Sequence, residues 1–435
     1  MINKFIAHIT FEAKTALKIG SKNADFLQDS PIQKDWNQLP MILGTSLAGV
    51  LRKEFNEKIA DEFFGTGDKG SKTIISNALL LNENKEVTES LLLDFQKSEF
   101  LQKFVVLPIR EHNAISDKGV TKSTGKYDEE VVFKGTQFKF RIEMLNENED
   151  DKNNFFKLLD LLFLNTFRIG AGSSKGLGQI KVIEITYDEF ETTSDKYTNF
   201  SSSLNEKLSQ SYEIKNFDDE KYIKYELNLT PDDFFMFGSG FGDDEADMTP
   251  VVEKVIDYDK YDKKDLSDDK ILIPASSVKG AISHRTTYYY NLLNNKFIGN
   301  GGNADIVESI FGAKKDNEKD SFKGNILISD VYLEKTSSKD TKVFDHVSID
   351  RFTGGAIDGA LFQEKTITSK ETFSLEILIN KEKITDKVVI EAFEKALNDI
   401  TTGMLSLGGA TTKGHGVFTG DLKIIGDKKW KHLMN

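Results

Sequence analysis

Two stretches of this chain, RIGAGSSKGLGQIKVI from Arg168 and LSLGGATTKGHGVFTGDLKII from Leu405, follow one pattern more than two hundred residues apart. Each passes from a Gly-rich opening through small hydroxyl residues to Lys-Gly-x-Gly, then into an alternating apolar run. A chain that carries the pattern twice is constrained to fold as two copies of one unit. Its 435 residues suit this, being too many for one typical core and enough for two domains of ordinary size.

The correspondence extends outward from the loops. LPMILGTSLAGVLRKEF matches KILIPASSVKGAISHRT, with Gly49 on Gly280. Both predict a short apolar strand, a small-residue turn and a helix. Leu47, Val50, Leu51 and Phe55 recur at helical spacing in the first, and Val278, Ala281, Ile282 and Tyr289 in the second. Ser46 and Ser277 stand before those series as expected N-terminal caps.

DEFFGTG answers ESIFGAK. Two long segments then start at a histidine, His112 or His346, cross a Gly-rich polar middle and end in strand alternation. The helices FFKLLDLLFLNTF and VVIEAFEKALNDI, the glycine loop and a last strand complete each half. That order is β-α-β-β-α-β with a hairpin insertion, so the expected class is α+β, with two tandem ferredoxin-like (RRM-like) domains. The expected domains are residues 1–187 and 222–435, joined by a polar linker at 188–221.

A glycine loop between helix and strand lets the backbone turn through positive φ and approach a partner closely. Neither copy has Walker A spacing, and each follows a helix instead of opening one, which argues against a nucleotide-triphosphate site. Lys175 and Lys413 fall at the same loop position, where a turn has no need of lysine. Exposed amides plus one lysine make a phosphate cradle, and a repeated cradle suits a polymer of phosphates.

Against this stands a formal net charge of −13, since proteins that grip nucleic acid carry a positive footprint. Much of the acid lies in expected surface segments such as NENEDDKNN and KVIDYDKYDKKDLSDDK, which leaves room for a local basic groove. No cysteine is present, which excludes disulfides, thiolate metal sites and a cysteine nucleophile. The opening MINKFIAHITFEA has no secretion-signal pattern and no apolar run reaches membrane length, so a cytoplasmic protein with no membrane association is expected.

The paired LGTSLAGVLR and IPASSVKGAI motifs, the HVSIDRFTGGAIDGALF segment and the two glycine loops resemble the RAMP superfamily of CRISPR-associated proteins. More narrowly, the chain resembles a tandem fusion of two backbone subunits of type III effector complexes, which stack along a guide RNA. The resemblance implies partners: guide RNA, target RNA and other effector-complex subunits. It implies RNA-backbone contacts at Gly172, Ser173, Lys175, Gly176 and Gly178 in the first half, and at Ala410, Thr411, Lys413, Gly414 and Gly416 in the second. Ser46, Arg52 and Lys53, and Ser277, Lys279 and Arg285, are the matching positions at the helices; a helix N-terminus also favours phosphate. The first half has Ala48 where the second has Lys279, which weakens its expected grip.

The hairpins from His112 and His346 match the family's thumb, with Ile115, Ile349 and Phe362 as the expected apolar wedge. Catalysis in the family depends on an aspartate in a context like Asp-x-Pro. Asp29, before Ser30 and Pro31, fits closely; Asp247 stands one residue further from Pro250, with Asp244 and Glu245 as rivals. The implied activity is a divalent-metal-dependent endoribonuclease cutting guide-bound target RNA, with Asp29 holding Mg2+ or Mn2+ or orienting a ribose 2′-hydroxyl. A silent scaffold is the alternative, and behind it a guide-precursor processing nuclease or a sugar-phosphate enzyme.

Overall fold

The computed structural model describes residues 3–21, 31–92, 97–115, 121–260, 266–267, 269–296, 306–313, 320–334 and 340–426. Asp29 lies outside the described residues. In the first half, four antiparallel strands stand in the order Thr73–Ile75, Gln137–Asn146, Asn3–Ala13, Ile180–Glu191. The second half repeats this order with Ile326–Ile328, Phe373–Asn380, Tyr222–Pro231 and Phe418–Ile425. Numbered by position within each half, the order is 2-3-1-4 in both, so the duplication holds at the level of strand pairing.

Period-two burial shows why these segments pair. Along Tyr222–Pro231, Ile223, Tyr225, Leu227 and Leu229 are buried and the residues between them half-buried. One face packs on a leading helix, Gly44–Arg52 or Ala275–Leu293, and on a back helix, Glu149–Leu161 or Lys387–Thr401. Phe155, Leu158 and Leu159 fill the first core from the back helix, and Val389, Phe393 and Leu397 the second.

Three local expectations are corrected. Ser46 and Ser277 do not cap the leading helices, which begin two residues earlier. The side chain at the end of a neighbouring strand does the work instead: Gly44 N donates to Asn77 Oδ1 and Ala275 N to Asp330 Oδ1, both at 2.9 Å. The first back helix starts in the acidic NENEDD segment and stops at Leu161, because Asn148 Oδ1 accepts from Asp151 N and acidic residues suit a first turn. The acidic segment after Glu253 is not all surface, since Ile256 and Tyr258 alternate with Asp257 and Asp259 and enter the core of the first half.

The strand Ile180–Glu191 reaches into the segment expected as a linker. Leu204 and Leu208 of that segment are buried, Leu208 beside Ile6 and Phe190 on the far face of the first sheet. A two-stranded hairpin leaves each half, Ile109–Ile115 with Thr121–Glu130 in the first and Thr341–Ile349 with Ala356–Thr368 in the second.

Candidate nucleic-acid interface

The glycine loop of the first half lies against the leading helix of the second. Gly176 has φ +107°, and a Cβ placed there would fall 2.0 Å from Asp330 Oδ1 and 2.8 Å from Ala275 Cβ. Only glycine permits this approach. Asp330 N donates to Gly176 O at 3.4 Å, and Lys279 Nζ donates to Ser174 Oγ at 3.4 Å. The fold thus joins the glycine loop of the first half to the leading helix of the second.

This crease gathers positive charge despite the acidic total. Lys279 is half-buried, and burial together with the charges of Lys175 and Lys323 lowers its pKa to about 8. Lys323 is itself lowered by burial and by Lys53 and Arg168. Cations held near one another gain from an anion placed between them. Ser173 is buried in the loop, while Gly172 and Gly178 have φ of +75° and +90°. Ser46, Ser277 and Lys53 are exposed along the leading helices.

Both arginines expected on RNA are engaged within the fold. Arg52 pairs with Asp61 and donates to Gly65 O at 2.7 Å, closing the end of the helix Glu57–Phe64. Arg285 Nε donates to Asp399 Oδ2 at 2.5 Å and the guanidinium lies over Tyr288 and Tyr289.

A second constellation appears at the base of each hairpin. Glu364 is fully buried, with Lys413 Nζ at 2.9 Å, His346 Nε2 at 3.2 Å and His415 Nδ1 at 3.4 Å. His346 stacks on Phe362 at 4.8 Å, and Lys413 Nζ sits 4.7 Å from the centre of the same ring. The first half repeats this. His112 Nε2 lies 2.8 Å from Glu129 Oε1, His112 stacks on Tyr127, and Lys175 Nζ lies over that ring while donating to Tyr127 Oη at 2.9 Å. Burial alone would push Glu129 up, but His112 and Lys18 beside it hold its pKa at about 2. The two histidines therefore anchor the hairpins, and Phe362 is a platform at the base with no reach to the tip. Glu129, Glu364, Tyr127 and His415 were not singled out from the sequence; the aligned YDEEVVF and FQEKTIT carry the signal for three of them.

At the second tip, Asp350 Oδ1 accepts from Phe352 N, Thr353 N and Thr353 Oγ1 at 2.8 to 3.1 Å. That turn holds Phe352 out with 99% of its surface exposed, beside exposed Ile349. Ile115 is exposed near the first tip, where residues 116–120 are outside the described set.

Asp247 lies under the same hairpin, its Oδ2 accepting from Gln363 N at 2.8 Å. Its rival Glu245 pairs with Lys365 at 2.7 Å, and Asp244 is exposed. Backbone bridges revise the spacing argument: Gly20 pairs with Ile32 and Gly238 with Pro250, so Pro250 takes the place of Ile32 and not of Pro31. Counting three residues back from each gives positions 29 and 247, in register. Among the described residues no group of three or more His, Asp or Glu is arranged to hold a metal ion, and no helix is long and apolar enough to cross a membrane. Thr411 and Lys413 form a single turn of 3-10 helix, and Gly414 and Gly416 have positive φ.

A profile described as the RAMP superfamily matches residues 10–181 and 235–419. No curated protein matches the sequence. Among solved structures, the chain is similar to one in the cryo-EM structure of the Type III-B Cmr-beta bound to cognate target RNA. That similarity has a TM-score of 0.32 and 17% identity, and covers 42% of this chain and 60% of the length of the other.

Proposed function

The chain belongs to the RAMP superfamily, which it matches twice, and on that premise we propose that it is a backbone subunit of a type III CRISPR effector complex. In this reading it binds guide RNA along the phosphates, and each half is a ferredoxin-like domain whose hairpin is a thumb. The 2-3-1-4 strand order in both halves supports the domain reading.

One observation carries the RNA reading: Lys279 reaches from the second half to Ser174 in the first glycine loop, beside the tight turn of Gly176, with the charge of Lys175 close enough to lower its pKa. Such a place favours phosphate over any neutral group, and it is indifferent to base. Ser46, Ser277 and Lys53 line the helices nearby as minor contacts. In the second half Lys413, paired with Glu364, and Asp247, held by Gln363 N, act at adjacent residues of one hairpin strand. Phe352 at the tip of the second hairpin, with Ile349 behind it, is the wedge that parts a base from the guide–target duplex.

Target RNA is cut where the wedge leaves the strand unstacked. Asp247, with Oδ2 held by Gln363 N, has Oδ1 left to orient a ribose 2′-hydroxyl toward the adjacent phosphate. Asp29 has the same role in the first half. One carboxylate oxygen fits Mg2+ or Mn2+ only where substrate phosphates and water complete the shell, the usual manner of Mg2+. The bound ion would supply charge stabilisation at the phosphate.

Two measurements test this. Sequencing of copurified RNA should return short repeat-tagged species, and no RNA would remove the reading. With assembled complex and end-labelled target, Asp29→Ala and Asp247→Ala should each erase one cut while target capture stays intact. An unchanged ladder from both would leave a silent scaffold.

A further inference from the structure

The two halves bury a glutamate at the same place and neutralise it differently. In the first half Glu129 has Lys18 on one oxygen and His112 on the other, and the glycine-loop Lys175 is left to bond Tyr127 Oη. The strand and loop registers give the counterparts in the second half. Glu364 stands for Glu129, His346 for His112, Phe362 for Tyr127, Met236 for Lys18 and His415 for Leu177. Met236 is buried and brings no charge, and Phe362 has no hydroxyl. Lys413 therefore takes the role that Lys18 has in the first half.

That role ties Lys413 down. Among the described residues, its bond to Oε2 at 2.9 Å is the hydrogen bond that the fully buried Glu364 carboxylate receives. His346 Nε2 at 3.2 Å and His415 Nδ1 at 3.4 Å lie within ion-pair reach but without hydrogen-bond alignment. Thr366, Phe344 and Lys342 share this face of the hairpin, with Lys342 Nζ over the rings of Phe234 and Phe344. Asp345 and Lys365 belong to the other face, where Lys365 pairs with Asp243 and Glu245. An RNA phosphate that drew Lys413 away would strip a buried carboxylate of its cation, which is strongly unfavourable. A proton on either imidazole would restore a cation there, and histidine is the side chain that changes charge between about pH 5 and 8.

We propose that the second glycine loop is a proton-coupled phosphate site, in which Lys413 moves to an RNA phosphate as His346 or His415 takes up a proton and replaces it at Glu364. This rests on the RNA reading above. The first loop has no such coupling, because Lys175 can leave Tyr127 without depriving Glu129 of Lys18. The first hairpin base is also pinned across the joint by Arg110, which is fully buried. Its Nε and Nη2 donate to Glu253 Oε1 and Oε2 at 2.5 and 2.8 Å, its Nη1 to Asp330 Oδ2 at 2.6 Å, and Nη2 also to Tyr332 Oη at 3.0 Å. Glu253 and Asp330 stand where the first half has Asp35 and Asn77. In the second hairpin Phe344 takes the place of Arg110, half-exposed beside His415, so that base is held within its own half by the histidine cluster.

Isothermal titration of the full chain with a single-stranded RNA of guide length tests this, repeated between pH 5.5 and 7 in buffers of different ionisation enthalpy. Proton uptake appears as a binding heat that depends on the buffer, and the wild type should bind about three- to tenfold tighter at pH 5.5 than at pH 7. Lys279 is charged throughout this range and adds nothing to the change. Glu364→Gln removes the buried charge and should bind at pH 7 as tightly as the wild type does at pH 5.5, with no uptake. Met236→Lys with His415→Leu copies the first half's set and should behave alike, which keeps the test open if the glutamine variant fails to fold. The exposed His284 is present in every variant, so uptake by it would survive and count against the proposal. Wild-type binding that is flat across the range, or a pH dependence that survives in either folded variant, would overturn the coupling and leave the RNA reading standing. A chain that binds RNA at no pH would remove both.

Discussion

Gly176 and Gly414 hold the same place in the two glycine loops, yet a side chain at the first would strike the other half and a side chain at the second would meet nothing. The same contrast runs through the hairpin bases, where Arg110 is buried in four polar contacts and Phe344 is half-exposed. Both halves carry the same projecting loop and hairpin, but among the described residues only those of the first half press on the other half. What looks like repetition in sequence is therefore two different physical situations.

The largest expected effect that would sharpen the contrast comes from Arg110→Met. It leaves Glu253 and Asp330 buried without their cation and should cost about 3–5 kcal/mol in urea unfolding. Phe344→Ala, at the matching place, should cost about 1 kcal/mol or less in the separate protein. Equal losses would break the comparison. Next in size, Gly176→Ala adds a collision to an unfavourable φ and should cost about 2–3 kcal/mol, whereas Gly414→Ala should cost only the φ term, about 1 kcal/mol.

The smallest effect concerns pH. Lys279 is charged below about 8 and neutral above it, against 10.5 for an ordinary lysine. Its help to RNA binding is thus present at pH 7 and lost as pH rises through 8. For folding the sign is reversed: keeping the buried ammonium charged is unfavourable, so this group's stability contribution improves as pH rises from 8 toward 10.5. Filter binding between pH 7 and 9 should show a severalfold fall for the wild type and little change for Lys279→Arg. A pH-independent wild type would remove Lys279 from the interface.

Alignment of the halves made the strand order, the leading and back helices and the glycine loops legible, because each rests on periodicity or on positive φ. Spacing to a proline misled at Asp247, since sheet register counts from the bridging residue, and Pro250 bridges where Ile32 does. The helix starts misled for a similar reason: Asn77 and Asp330, distant in sequence, perform the capping that Ser46 and Ser277 were expected to perform. Arg110 went unnoticed because it stands two residues before the repeated histidine, at a position where the aligned halves differ. In retrospect the joint is marked by the positions at which aligned halves disagree, Arg110 against Phe344, Asn77 against Asp330 and Asp35 against Glu253. The first tip and Asp29 lie outside the described residues, so the fold adds nothing to what the sequence says of them.

Because both sides of the Arg110 network belong to one polypeptide, they meet at an effective concentration set by the connecting segment and not by how much protein a cell makes. Contacts of modest net worth, such as a buried guanidinium among carboxylates, suffice under that condition. Its residues are then free to change together over evolutionary time, one substitution answering another, with no third molecule obliged to follow. A face that must recognise a separate molecule has no such freedom. Across relatives, the internal joint is therefore the place where compensated pairs should accumulate.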